Sequence, residues 1–140
     1  MSKKIKCKIC GKEIFVNYGK KRNKSGMCIN CYRDYCNKLK IEEWLKTGNT
    51  GCSVSTTLRS VIRTYILKEQ DYKCAICGIS NVWNKKPLNF ILDHINGDAS
   101  NNFRYNLRLI CSNCDSQLDT YKYKNKNSAR THRKTDNDTK

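Results

Sequence analysis

The sequence predicts an α+β protein made of small metal-stapled domains: an N-terminal ribbon or finger, then a C-terminal ββα unit. Three observations lead there. Eight of the ten cysteines fall into four C-x-x-C pairs, Cys7/Cys10, Cys28/Cys31, Cys74/Cys77 and Cys111/Cys114, where chance placement would give about 0.7 such pairs. Short apolar runs of strand length are interspersed with two helically periodic stretches. Finally, 140 residues that are only 38% hydrophobic, with a mean hydropathy of −0.78, cannot give a large apolar core to each of two pieces.

Cysteine spacing supplies the missing stabilisation. Two adjacent thiolate pairs make a closed tetrahedral Zn²⁺ site that adds directly to folding free energy, so the four pairs predict two structural Zn²⁺ ions. The expected pairing is Cys7/Cys10 with Cys28/Cys31, and Cys74/Cys77 with Cys111/Cys114. A disulfide framework would need export, yet the basic start Met1-Ser2-Lys3-Lys4 runs into no apolar segment. A redox C-x-x-C would need a βαβ context that is missing. No apolar run approaches membrane-spanning length.

In chain order, residues 1–36 read as the zinc-ribbon or finger-like module. Cys7-Lys8-Ile9-Cys10-Gly11 is a knuckle, Ile14-Phe15-Val16 a short strand, and a polar stretch from Asn17 to Gly26 returns to Cys28 and Cys31. Residues 37–55 read as a short helix over 38–47, carried by Ile41, Trp44 and Leu45, then a linker from Thr47 to Ser55 where the domain boundary is expected. Cys36 reads as a small buried hydrophobe or spare ligand, and Cys52 has no assigned role. A second helix is expected over 56–69, with Leu58, Val61, Ile62, Tyr65 and Ile66 on one stripe and Ser55 as N-cap. It leads the C-terminal domain, residues 56–125. A basic tail, 126–140, which includes His132, has no apolar anchors and is expected to order only on a polyanion.

Charge narrows the partner. Twenty-eight Lys and Arg against 12 acids give a formal net charge of +16 and a pI near 9.5, a field that calls for a polyanion. Residues 1–24 hold nine basic residues against Glu13 alone, and the last twenty hold seven against Asp136 and Asp138. Such arms contact phosphates without reading bases. Neither has the apolar face that membrane-surface binding needs.

Within residues 73–125 the pieces form one layout. Cys74-Ala75-Ile76-Cys77-Gly78 is a second knuckle, Phe90 to His94 and Leu107 to Ile110 are apolar strands joined by a polar loop, and a helix can start at Ser112, its first turn carrying the last thiolates. Knuckle, hairpin and helix make a treble clef.

The stretch from Lys73 to Asn125 resembles the zinc-stapled HNH endonucleases of phages and mobile elements. The matching residues are Asp93-His94-Ile95-Asn96-Gly97-Asp98, Asn106-Leu107-Arg108-Leu109-Ile110-Cys111 and the helix start Cys111-Ser112-Asn113-Cys114-Asp115. Weaker resemblance extends upstream through Trp44-Leu45 and the 58–67 helix. DNA carries no 2′-hydroxyl to attack its own phosphate, so water must be activated by a base and the departing 3′-oxygen stabilised by a metal. His94 is the natural base, because imidazole ordinarily titrates near the working pH. The resemblance further implies that Asp93 is a ligand to one Mg²⁺ or similar ion, and that Asn106 hydrogen-bonds near His94 to fix its ring. The third family position, usually a metal-binding His, is Asp115, whose carboxylate suits Mg²⁺ as a hard oxygen donor. Asp119, one turn on, is a further carboxylate.

The resulting expectation is a Mg²⁺-dependent DNA endonuclease that nicks as a monomer or weak dimer, in the cytoplasm, or in that of a host if phage-encoded. It would carry two structural Zn²⁺, need no membrane and no obligatory protein partner, and contact DNA through Arg104, Arg108, Lys122 and Lys124. A homing role is implied by the resemblance alone. The alternative is a non-catalytic, zinc-dependent DNA-binding module derived from such a domain.

Overall fold

The computed structural model describes residues 4–15, 25–49 and 56–126. Its contacts divide the chain into two units, residues 1–42 and 43–140. Val16, Asn17, Cys52, Ser55, His132 and the tail beyond Lys126 lie outside the described residues.

In the first unit, β1 (Lys4–Lys6) pairs antiparallel with β2 (Glu13–Phe15), Ile5 facing Ile14. Between them the knuckle closes on itself, Cys7 N–H donating to Lys12 O and Gly11 N–H to Cys7 O. Gly11 has φ +71°, which glycine alone adopts without strain. Helix α1 (Ile29–Thr47) then starts beside Cys28. It begins nine residues before the 38–47 stretch expected from periodicity, and Ile29, Tyr35 and Leu39 in its N-terminal half are exposed. Cys31 therefore rides on the first helical turn, which makes the unit the finger form and not the two-knuckle ribbon.

The second unit begins inside α1, where Trp44 is fully buried. Helix α2 (Thr56–Glu69) buries Ile62 and Ile66, as its periodicity predicts. A knuckle at Cys74–Gly78 repeats the first, with Cys74 N–H on Ile79 O, Gly78 N–H on Cys74 O and Gly78 at φ +71°. Strands β3 (Val82–Trp83) and β4 (Lys86–Pro87) form a small hairpin that the sequence reading lacked. Its two-residue turn, Asn84-Lys85, has both φ positive, 48° and 59°, as a type I′ turn requires. Lys at the second position hides that signature.

Strands β5 (Ile91–His94) and β6 (Leu107–Ile110) pair antiparallel, with Asp93 opposite Arg108 and His94 opposite Leu107. Leu107, Leu109 and Ile110 are fully buried and, with Phe90, Trp44, Ile62 and Ile66, make the core. Gln70 follows α2, and its amide treats Leu109 as a strand would: Oε1 accepts from Leu109 N–H at 2.8 Å and Nε2 donates to Leu109 O at 2.9 Å. Cys111 is the N-cap of α3 (Ser112–Gln117), which ends before Leu118, and Lys122–Lys124 form a 3₁₀ turn beyond it.

Candidate functional site

Both cysteine quartets are assembled as the spacing predicts. Cys7, Cys10, Cys28 and Cys31 hold all four sulfurs within 4.8 Å of one another, and so do Cys74, Cys77, Cys111 and Cys114. The two are built alike: Cys28 N–H points at Cys7 Sγ (3.2 Å) and Cys111 N–H at Cys74 Sγ (3.3 Å). Cys10 and Cys28 sulfurs lie 3.7 Å apart, as do those of Cys77 and Cys111. Backbone N–H groups of Cys10 and Cys28 draw the Cys7 thiol down to about 6. At Cys74 burial opposes the same effect, yet the N–H groups of Cys77 and Cys111 win and its thiol also falls to about 6. The neighbouring Cys28 thiol, then burial, pushes Cys31 up to about 12, and burial with the thiols of Cys77 and Cys111 pushes Cys114 up to about 12. Four thiolates so close cannot all ionise without a cation between them, so both donor sets fit a structural zinc ion.

At the far end of β5 stands the second cluster. Asp93 is 9% exposed, and Arg108 across the strand pair donates Nε–H to its Oδ2 at 2.7 Å. Asp115, in the first turn of α3, is half-buried. Burial, then the nearby Asp93 charge, hold its carboxyl above the usual carboxylate range, while Lys122 opposes them. Asp93 on a strand and Asp115 on a helix offer hard carboxylate oxygens, the kind of donor that Mg²⁺ takes. Among the described residues, Asp93, His94 and Asp115 are not drawn together as tightly as the cysteine quartets.

His94 follows Asp93, and its Nε2 lies 3.0 Å from Asn102 Oδ1. Asn102 Nδ2 donates to Ser100 O, which leaves Oδ1 free to accept from an Nε2–H. Asn102 is itself anchored through its carbonyl, which accepts from Trp44 Nε1 at 2.7 Å, and Trp44 packs edge-on against Tyr65 with centroids 5.9 Å apart.

Asn106 is buried at 3% exposure but does not hold the His94 ring. Its Oδ1 accepts from Asn96 N–H, and its Nδ2 donates to Asn96 Oδ1 and Asn101 O, so it ties both ends of the loop after β5 together. Asn125 pins the same loop, donating to Gly97 O at 2.8 Å. A Cβ on Gly97 (φ +76°) would come within 2.6 Å of the Asn125 side chain. Asp98 in this loop is held below the usual carboxylate range by the Ser100 hydroxyl and backbone N–H.

Of the remaining residues singled out by sequence, Arg104 donates to Glu69 at 2.6 Å and to Leu107 O. Lys122 sits over the Tyr121 ring at 4.8 Å and Lys124 is exposed. Asp119 is exposed. Sequence reasoning missed Asn102 and the Arg108–Asp93 pair. Four asparagines crowd residues 96–106, and nothing in their spacing says which one meets the imidazole. Arg108 was legible as the residue facing away from Leu107 and Leu109, but its partner needs the strand register.

The chain is 34% identical over 96 residues to the H-N-H endonuclease F-TflIV of Escherichia phage T5, a match covering 66% of this chain and 39% of that protein. The chain thus spans well under half the length of the relative. No family model and no solved structure matches it.

Proposed function

The chain is a homologue of the HNH endonucleases over two-thirds of its length, and on that premise we propose that it is a divalent-metal-dependent endonuclease that hydrolyses DNA phosphodiester bonds. One observation supports this above the rest: the ring of His94, the residue after the buried Asp93, is held with Nε2 3.0 Å from Asn102 Oδ1.

In this reading Asp93 and Asp115 would hold Mg²⁺, which would supply charge neutralisation for phosphodiester cleavage. His94 Nδ1 takes a proton from the attacking water while Nε2–H stays fixed on Asn102 Oδ1, so the ring does not rotate as it charges. Asn106 keeps the loop from 96 to 106 closed so that Asn102 stays in place. The N-terminal unit, residues 1–36 in the sequence reading, and the basic arms supply affinity through phosphates. Arg104, Lys122 and Lys124 belong to the same DNA-contacting set. One such site per chain nicks one strand as a monomer. Reduced zinc-binding cysteines suit action in a cytoplasm.

The rival reading is a DNA-binding module without catalysis. It draws on Arg108, which already occupies Asp93 Oδ2, and on Asp115, which stands where the family usually has His. Supercoiled plasmid nicking separates the two. Zinc-loaded protein is expected to nick with Mg²⁺ and not without it, and His94→Ala to abolish nicking while DNA binding persists. A native protein that binds DNA but never cuts with Mg²⁺, Mn²⁺ or Ni²⁺ establishes the rival.

A further inference from the structure

A cleft of about 430 Å³ lies between α2 and the segment that joins the β3–β4 hairpin to β5. Arg59, Ser60, Arg63 and Thr64 line one wall, and Asn81 and Asn89 stand on the other. None of its lining residues is acidic. Arg59 and Arg63 are one helical turn apart, a spacing at which like charges repel. Neither pairs with a carboxylate among the described residues. Arg63 gives one N–H to Phe90 O, and Arg59 is exposed. The cleft thus gathers two cations and several neutral hydrogen-bonding groups with nothing to balance the charge.

The hairpin beside it has an exposed apolar side chain of the wrong kind for a lone surface. Trp83 is 65% exposed and Val82 54%, and their neighbours Lys85 and Lys86 are exposed too. From Tyr72 to Leu92 the chain has no Asp or Glu. The tip is rigidly presented: the Asn84-Lys85 turn is tight, Leu88 N–H bonds Asn81 O at 2.8 Å, and Ser80 Oγ donates to Val82 O at 3.1 Å. An aromatic ring framed by lysines, beside a cleft whose two guanidinium groups meet no carboxylate among the described residues, matches the chemistry of a nucleic-acid strand, whose phosphates want cations and whose bases want a flat apolar partner.

We propose that this cleft and hairpin form a second DNA-binding subsite, in which Arg59 and Arg63 hold backbone phosphate and Trp83 packs against a nucleotide of the same strand. It rests on the endonuclease reading. Phe90 lines the cleft and β5 ends at His94, four residues or about 13 Å further along at extended-strand rise. That distance is about four nucleotides of a strand rising 3.4 Å each. The subsite therefore grips DNA a few nucleotides from the cut.

The test is DNA binding by full-length, zinc-loaded protein in Mg²⁺-free buffer, followed by tryptophan fluorescence and by salt titration. Trp44 is buried and Trp83 exposed, so a short duplex is expected to quench the Trp83 emission, and Trp83→Phe to remove that signal while keeping affinity. Arg59→Ala is expected to weaken binding about fivefold and to lower the slope of log affinity against log salt by about one. Arg59→Lys should restore the slope, and Trp83→Ala should weaken binding about tenfold. Circular dichroism and zinc content establish that each variant is folded. Variants that bind with native affinity and slope, from a native protein that binds and cuts, overturn the subsite alone. A native protein that binds no DNA at low salt overturns the subsite and the endonuclease reading together.

Discussion

Arg108 Nε rests 2.7 Å from Asp93 Oδ2, directly across the β5–β6 pair. The carboxylate proposed to hold a metal is thus already neutralised by a guanidinium from the facing strand. Breaking a buried pair by removing one partner leaves an uncompensated charge. Arg108→Met is expected to destabilise the protein by about 2 kcal/mol, below the fully buried case because Arg108 is a quarter exposed. Mg²⁺ should then raise the melting temperature of the variant more than that of the native protein. Thermal unfolding with and without Mg²⁺ reads both effects, and an Mg²⁺ response no larger than native would show that Arg108 and metal do not share Asp93.

Asn102 meets His94 at 3.0 Å, the one partner of Nε2 among the described residues. Asn102→Ala frees the ring to rotate and to change tautomer, which is expected to lower kcat about 100-fold with KM little changed. Single-turnover nicking with saturating enzyme measures it. A loss confined to KM would mean that Asn102 serves DNA binding instead.

Asp115 has its carboxyl raised by burial and by the Asp93 charge. The fold accordingly favours its uncharged form. The stability this gives is present below the ordinary carboxylate range and disappears as pH rises through the raised value, where two like charges face each other. A divalent cation relieves that repulsion but must compete with the proton. The Mg²⁺-induced gain in melting temperature should therefore be larger at about pH 7.5 than at about pH 5, and Asp115→Asn should abolish the difference. Calorimetric scans at the two pH values decide it.

Trp44 joins α1 to the loop that carries Asn102 through a single indole hydrogen bond of 2.7 Å. Trp44→Phe keeps most of the buried ring but orphans the Asn102 carbonyl, at a cost of about 1–2 kcal/mol in chemical denaturation. Because Asn102 also meets His94, nicking should fall as well, whereas a substitution elsewhere in the core with the same stability loss should spare it.

Each cysteine quartet is expected to bind one zinc ion, giving a protein-to-zinc ratio of about 1:2. Cys111→Ser should leave about one zinc per chain, and chelation should unfold the second unit. Elemental analysis together with circular dichroism provides the check.

The legible parts of the fold were those written in spacing. Four C-x-x-C pairs gave both quartets, and the stripe of Ile62 and Ile66 gave α2 to the residue. The Leu107 to Ile110 strand, too, was fixed by its own apolar run. What stayed hidden depended on partners distant in sequence. The N-terminal half of α1 holds none of the helix's buried side chains, so its start follows the Cys28/Cys31 pair more than packing. The His94 partner is one amide among several in a loop whose course is set by Asn106, Asn125 and Trp44. A Lys at the second turn position masked the β3–β4 hairpin.

The side-chain amide of Gln70 has a wider bearing. A two-stranded sheet is all edge, and an open edge invites a strand from another molecule. At Leu109 that invitation is withdrawn three times over, by Gln70 Oε1, by Gln70 Nε2 and by Ala75 N–H, which donates to Leu109 O at 3.0 Å. A protein of formal net charge +16 that gathers on a polyanion is brought close to its copies, and a blunted β6 lets it crowd there without joining them into fibres.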